Sequence, residues 1–177
     1  MQKQNKAAFV LLGVNLVTLI LLGSVNATIG QHGVFLYLPA LFFLPGALCL
    51  DNSRGIPLAF VTGLLLDQQI ETTFGFHAFA LSTFHLLGSN WFRGVNYRKD
   101  LVTLALQLPA NLLFFILWLL WIKIFENGKM EWTWGRWGID LIASTLALIP
   151  LAIWIPRFAE SLLGLTNLFP EGRKELS

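Results

Sequence analysis

Long runs of apolar residues, separated by short polar turns, organise this chain. The six longest runs cover residues 7–29, 34–50, 56–66, 74–92, 101–122 and 138–155. The runs are continuous rather than alternating, and a bilayer admits only backbone whose hydrogen bonds are satisfied internally, so helices are favoured over open strands. The pattern therefore predicts an all-α polytopic membrane protein with about six transmembrane helices.

Prolines and polar turns predict where the helices bend or end. Pro39 and Pro45 predict a kinked or broken second helix, because proline removes a backbone donor. Pro57 follows the polar turn at 51–55 and is expected in the first turn of the third helix. The run at 56–66 is shorter than the roughly 20 residues of a full span. It is expected to continue farther, to cross a locally thin bilayer, or to be shielded by neighbouring helices.

The two ends of the chain delimit the predicted domain. Pro156 and Arg157 are expected to close the sixth helix, so that residues 1–157 form a single six-helix membrane domain. Residues 158–177 are expected to form a cytoplasmic tail, in part an interfacial helix and then disordered. Near the other end, Val25-Asn26-Ala27 matches the small-x-small pattern of a signal-peptide cleavage site. The first run is longer than a usual signal core, which favours a retained first helix.

Composition argues against a soluble domain. The 177 residues are 55% hydrophobic and 12% charged, with a mean hydropathy of +0.65, and that charged fraction is about half the soluble average. A soluble core of this size has no room for so many apolar side chains. The one cysteine, Cys49, excludes an intrachain disulfide and a multi-cysteine metal site.

Basic residues are unequally divided between the two sides of the predicted bundle. Nine of the 12 lie on the side that holds both termini: Lys3, Lys6, Arg54, Arg93, Arg98, Lys99, Arg157, Arg173 and Lys174. The other three are Lys123, Lys129 and Arg136. By the positive-inside rule, both termini are predicted to be cytoplasmic. Trp118, Trp121, Trp132, Trp134 and Trp137 then cluster at the outer interface, where tryptophan commonly anchors membrane proteins.

A carboxylate ends the third apolar run. Asp67 closes the sequence Gly63-Leu64-Leu65-Leu66-Asp67, and Gly75 follows eight residues later. A carboxylate costs roughly 2.5–3.5 kcal/mol at a helix centre in the bilayer, and less near a helix end. Three interpretations stay open: Asp67 caps the next segment through backbone amides near Thr72 and Thr73, contacts a partner or ligand, or couples protons or ions.

Two further polar residues are expected near Asp67. Glu71 lies four residues later and shares a face with Asp67 if the third helix continues. His77 is near both in the predicted topology and is a candidate hydrogen-bond partner of either. His77 and His85 are eight residues apart, which is not a metal-ligand spacing. Satisfied interior histidines are therefore favoured over ligands.

Small and amide side chains predict close helix packing. Gly63 and Gly75 are expected to allow close helix approach, and Gly75 also a tight entry into the fourth span. Gln107 and Asn111 share a face of the fifth span, around Pro109, which is expected to kink it. They predict either hydrogen bonds between helices or a groove for a partner helix.

Catalytic motifs are missing from the sequence. It contains no phosphate-binding loop, no His-Glu-x-x-His and no Gly-x-Ser-x-Gly. Its basic residues are too few and too scattered for nucleic-acid binding. We therefore expect no enzymatic activity, no cofactor and no metal site.

The Gly-x-x-Leu-Asp pattern with a glycine eight residues later, in a small multi-span chain, resembles the bacterial rod shape-determining protein family MreD. Leu38-Pro39 and Phe74-Gly75 belong to the same resemblance, which extends from the first span through the sixth. The chain departs from the family in its Trp-rich outer loop and its extended tail. The resemblance implies a fold similar to the membrane substrate-binding subunits of energy-coupling-factor vitamin transporters.

The resemblance also implies a function. Family members are non-enzymatic scaffolds of the rod complex, which directs lateral peptidoglycan synthesis and maintains cell shape. Their partners include the bitopic protein MreC, the actin-like MreB, the glycosyltransferase RodA and a penicillin-binding transpeptidase. The expected location is the bacterial inner membrane. The alternative is a small-molecule binding subunit of a vitamin-type transporter, with Asp67, Glu71 and His77 as its outer-facing polar cluster.

Overall fold

The computed structural model describes residues 2–70, 74–92, 100–125, 134–166 and 168. These residues form six α-helices: α1 Gln2–Ile29, α2 Ala40–Cys49, α3 Asn52–Ile70, α4 Phe76–Phe92, α5 Asp100–Phe125 and α6 Trp134–Leu165. A short 3-10 turn, Gly30–His32, follows α1. No strand occurs in these ranges, so the prediction of a helical chain is confirmed for them.

Three helices, α1, α5 and α6, are long and apolar enough to cross a membrane. This supports a membrane protein, whereas the count of six spans stays a prediction. The helix α2 has only 10 residues, about 15 Å, or half of a hydrocarbon core of about 30 Å. Residues 34–38, which precede it, have no regular secondary structure, so the second predicted span is part non-helical chain and part helix.

Proline placement agrees with the prediction at one helix and differs at another. The second helix is broken as predicted, because α2 begins directly after Pro39 and contains Pro45. The third begins at Asn52, five residues before Pro57, so the expected position of Pro57 in the first turn is wrong. Asp51 explains this early start, since its Oδ1 accepts a hydrogen bond from the amide of Arg54 at 3.2 Å, as an N-cap carboxylate does.

The last helix continues beyond its predicted end. We expected closure at Pro156, but α6 runs through Pro150 and Pro156 to Leu165. Its last two turns bury Ala159 and Leu163 in a cluster with Leu11 of α1. This packing outweighs the backbone hydrogen bond lost at each proline. Residues 167 and 169–177 of the predicted tail lie outside the described residues.

The apolar interior of the bundle also holds polar side chains, while many large apolar side chains face outward. The interior holds Asn15, Thr62, Asp67, His77, Gln107, Asn111, Asp140 and Ser144. Large apolar side chains on several helices are exposed, including Phe9, Ile20, Phe79, Leu101, Ile142 and Leu146. This arrangement suits a bilayer, because polar side chains find hydrogen-bond partners inside the bundle and exposed apolar side chains contact acyl chains without a cost in solvation free energy.

Among the described helices, α3 and α4 have the most extensive contact. A Cβ atom placed on Gly63 would overlap the backbone of His77 and Ala78. Gly63 therefore permits direct backbone contact between the two helices, as small residues do in membrane bundles. This contact positions Asp67, one turn later on α3, beside the start of α4.

Candidate functional site: an extended segment and a buried carboxylate

Residues 34–38, between the 3-10 turn and α2, belong to no helix or strand, and we call them the extended segment. Tyr37 and Leu38 within it are 0% and 1% exposed. Buried backbone outside a helix has no neighbouring turn to bond with, so its amides and carbonyls need other partners. The surrounding helices supply those partners from side chains.

Helices α6 and α1 satisfy the first part of the segment. The amide of Phe35 donates to Oδ1 of Asp140 at 2.8 Å. The amide of Leu36 donates to Oδ1 of Asn26 at 2.8 Å, and Nδ2 of Asn26 donates to the Leu36 carbonyl at 3.0 Å. Asn26 thus imitates a neighbouring strand, pairing with both backbone groups of one residue.

Helices α6 and α5 satisfy the second part. The Tyr37 amide donates to Oγ of Ser144 at 2.9 Å. Asn111 donates from Nδ2 to the Tyr37 carbonyl at 3.0 Å and accepts from the amide of Ala40 at 3.3 Å. Asn111 is therefore an internal partner of the segment, and both ends of its amide are used within this chain.

The carboxylate of Asp67 lies at the start of α4. Oδ1 accepts hydrogen bonds from the amide of His77 at 2.8 Å and from its Nδ1 at 2.7 Å. Oδ2 accepts from the amides of Gly75 at 2.9 Å and Ala78 at 3.4 Å. Asp67, only 2% exposed, thus caps α4 from a different helix, where the helix dipole favours a negative charge.

This geometry shows Asp67 capping the next segment, and the amides involved are those of Gly75, His77 and Ala78. Contact to a partner or ligand and coupling of protons or ions stay predictions. Gly75 has a φ of +104°, a backbone conformation that glycine adopts without a side-chain penalty. Thr72, Thr73 and Glu71 lie outside the described residues, so the predicted shared face of Asp67 and Glu71 is not described.

His77 links Asp67 to Tyr37 of the extended segment, and we call these three residues the Asp67 array. Its Nε2 lies 2.8 Å from the hydroxyl of Tyr37. A neutral imidazole that donates from Nδ1 to Asp67 accepts at Nε2 from this hydroxyl. The ring of Tyr37 stacks on Trp118, with centroids 4.7 Å apart. Trp118 is therefore packed inside the bundle, and its predicted place at the depth of the outer interface stays a prediction.

The order carboxylate, imidazole, hydroxyl is also that of a nucleophilic triad. In a triad the hydroxyl faces a substrate, whereas Tyr37, His77 and Asp67 are 0%, 0% and 2% exposed. The array instead joins α3, α4 and the extended segment. Its chemistry is that of a buried crosslink made of short hydrogen bonds.

Gln107 differs from its neighbour Asn111. It is 0% exposed, and within the described part of the chain neither Oε1 nor Nε2 has a hydrogen-bond partner. Each unpaired buried polar atom costs about 1–3 kcal/mol. The two amides share a face of α5, but only Asn111 bonds to the extended segment.

His85 packs in a pocket made by two glycines. Its ring lies against Gly46 of α2 and occupies the place of a Cβ at Gly55 of α3. Nε2 has no hydrogen-bond partner among the described residues. His85 is therefore an interior packing residue. Among the described residues, no hydrogen bond joins it to Asp67, His77 or Tyr37.

Sequence reasoning missed Tyr37, Asn26, Asp140 and Ser144 as members of the site. Their signal was a polar side chain within or beside an apolar run, the same signal that identified Gln107 and Asn111. Asn26 was considered only within a cleavage pattern. The hydrogen-bond partner of Asn26 is the backbone of Leu36, and a backbone partner carries no sequence signature.

Two indentations flank the site. An apolar groove of about 560 Å³ separates α1 from α6, with Leu21, Val25, Trp154 and Phe158 among its lining residues. A smaller cavity of about 360 Å³ lies between α1 and α3 and is lined in part by Asn26 and Gln69. The groove suits an apolar occupant, and the cavity offers amide groups.

Comparisons with family models, curated proteins and solved structures found no match. The resemblance to MreD therefore stays an expectation from the sequence. Any functional conclusion has to rest on the geometry of the chain itself.

Proposed function

We propose that this chain is a non-enzymatic membrane scaffold of the MreD type, which supports the rod complex in cell-shape maintenance and lateral peptidoglycan synthesis. The observation that carries the proposal is the use of Asp67. Its carboxylate is spent on capping α4 and on the bond to His77. A group committed in this way holds a bundle in shape and is not presented to a substrate.

The three motif residues then have one shared task. Gly63 allows the backbones of α3 and α4 to touch, Asp67 joins the two helices, and Gly75 provides the turn between them. A motif that builds a rigid helix pair suits a scaffold, because a partner needs a fixed surface. We extend the proposal to six spans in the inner membrane, cytoplasmic termini and a fold like that of energy-coupling-factor substrate-binding subunits.

The groove between α1 and α6 is the surface that we assign to the transmembrane helix of an MreC-like bitopic partner. Its walls are mostly apolar side chains of both helices, with Thr18 and Arg157 also in the lining, and Leu36 and Leu41 form part of it. Leu36 belongs to the extended segment, so the polar side chains that hold the segment also shape the groove. MreB-, RodA- and transpeptidase-like proteins would then join through the same complex.

A pull-down in gentle detergent tests this proposal. The tagged chain is recovered from its native membrane, and co-purifying proteins are identified by mass spectrometry. We expect MreC-like and RodA-like proteins. Leu21→Trp, which fills the groove, should reduce their recovery, whereas Leu87→Trp on α4 should not. The two leucines are matched, at 62% and 63% exposed. Equal recovery with both variants contradicts the assignment of the groove.

A second function, ligand capture for a vitamin-type transporter, has the cavity near Asn26 and Gln69 in its favour. Its volume of about 360 Å³ lies in the range of small-molecule sites. Recovery of nucleotide-binding ATPase subunits and a coupling protein in the same pull-down would select this function. A small molecule retained by the purified chain and lost on Gln69→Leu would do the same.

A further inference from the structure

The ends of α1 and α3 that hold Asn5 and Arg54 are separated by a cleft of about 360 Å³. Polar side chains, Asn5, Ser53 and Arg54, lie at one end of it, and the rest of its lining is mostly apolar. Between Arg54 and Val61 the helix α3 rises by about 10 Å. The cleft therefore changes from polar to apolar over about 10 Å, a distance comparable to that from a lipid phosphate to the first part of its acyl chains.

Hydrogen bonds hold the guanidinium of Arg54 in place. Its Nε donates to Oδ1 of Asn5 at 2.6 Å. Its Nη1 donates to Oε1 of Gln4 at 3.2 Å and pairs with Oδ2 of Asp51 at 2.5 Å. Within the described ranges of the chain, Nη2 makes no hydrogen bond. A fixed guanidinium with two N–H donors in reserve is well suited to a phosphate oxygen.

Positive charge accompanies this ion pair in the described first turns of α1 and α3. Arg54 is paired with Asp51, and Lys6, which is exposed, lies in the second turn of α1. Lys6 thus adds a positive charge at the same end of these two helices. An anionic occupant complements this balance, and a neutral one does not.

We propose that this cleft binds an anionic phospholipid of the cytoplasmic leaflet. The phosphate contacts Nη2 of Arg54, and an acyl chain lies along Phe9, Leu12 and Val61. The cleft, at about 360 Å³, is smaller than the groove of about 560 Å³ that we assign to a partner helix, and its polar and apolar ends match the phosphate and the acyl chain of one lipid. The inference needs the proposed membrane orientation but not the proposed rod-complex function.

Lipid titration by native mass spectrometry tests the inference. The purified full chain is titrated with phosphatidylglycerol and, separately, with phosphatidylcholine of the same acyl composition. We expect tighter binding of phosphatidylglycerol. Arg54→Gln should weaken it by about fivefold, the factor for one cation near an anionic lipid surface. The control Arg136→Gln, which removes one charge from α6, should leave the affinity unchanged.

A second variant covers the case in which Arg54→Gln does not fold, since Arg54 joins α1 to α3. Val61→Trp fills the apolar part and keeps the guanidinium, so it should weaken both lipids. Equal binding of the two lipids by the unmodified chain, or no effect of Val61→Trp, overturns the proposal. Displacement of the lipid by an equal concentration of inorganic phosphate overturns the acyl-chain contact. These outcomes leave the pull-down result untouched, so failure of either proposal is seen separately.

Discussion

Replacing Asp67 by alanine removes the acceptor on which the start of α4 depends. Four donors lose their partner: the amides of Gly75, His77 and Ala78, and Nδ1 of His77. They lie at the contact of α3 and α4, where Asp67 is 2% exposed. Lipid acyl chains carry no hydrogen-bond acceptor that could replace the carboxylate.

The magnitude follows from the three shorter bonds, at 2.7, 2.8 and 2.9 Å. At about 1 kcal/mol for each donor left buried and unpaired, the free energy of unfolding falls by about 3 kcal/mol. The fourth bond, at 3.4 Å, is long and adds little. For a chain of this size, such a loss lowers the melting temperature by about 6–12 °C.

Asp67→Asn removes the negative charge and one acceptor oxygen but keeps the other acceptor oxygen of the cap. The amide keeps one acceptor oxygen but turns an NH₂ group toward the donors that the second carboxylate oxygen accepted from. We therefore expect a loss between that of alanine and zero, about 1–2 kcal/mol. Gln68→Ala, at the exposed neighbouring position, is the control and should stay within about 0.5 kcal/mol.

Thermal unfolding in detergent, followed by size-exclusion chromatography of the remaining folded fraction, measures these differences. Membrane insertion should be the same for all variants, because hydropathy rather than the cap directs it. A melting temperature of Asp67→Ala within 2 °C of the unmodified chain would refute the capping role. Equal losses for Asp67→Asn and Gln68→Ala would refute the importance of the second oxygen.

The remaining predictions concern packing and the extended segment. Gly63→Ala should destabilise by about 3 kcal/mol, the upper end for overpacking, because the new methyl group meets backbone of α4. Gly13→Ala, which meets nothing within 4 Å, should leave the melting temperature unchanged or higher, and equal effects would count against the close contact. Asn111→Leu should cost about 2 kcal/mol, since it unpairs the Tyr37 carbonyl and the Ala40 amide. Ser24→Ala, on an exposed hydroxyl bonded within α1, is its control in the same assay, and a loss no larger than that of the control would exclude this role for Asn111.

Local features explain why much of the fold was predictable. The helix α1 covers the whole predicted first run and ends at Ile29 as expected, because a long apolar run in a membrane has no stable state other than helix. The break at Pro39 follows from the geometry of proline alone. The end of α6 was not predictable in this way, since distant packing of Leu163 in a cluster with Leu11 outweighs Pro156.

For the polar residues too, the sequence predicts one part of the outcome and the tertiary structure decides the other. Composition and position determined that Asp67, His77 and Asn111 need partners, because polar groups at membrane depth are costly when unpaired. Only the tertiary structure decided which partners they have. Phe35 meets Asp140 across 105 residues and Tyr37 meets Ser144 across 107, distances at which no local pattern acts. The accepting and donating groups are largely backbone atoms, identical at every position, so the sequence determines the need for a hydrogen bond and the fold alone determines where it forms.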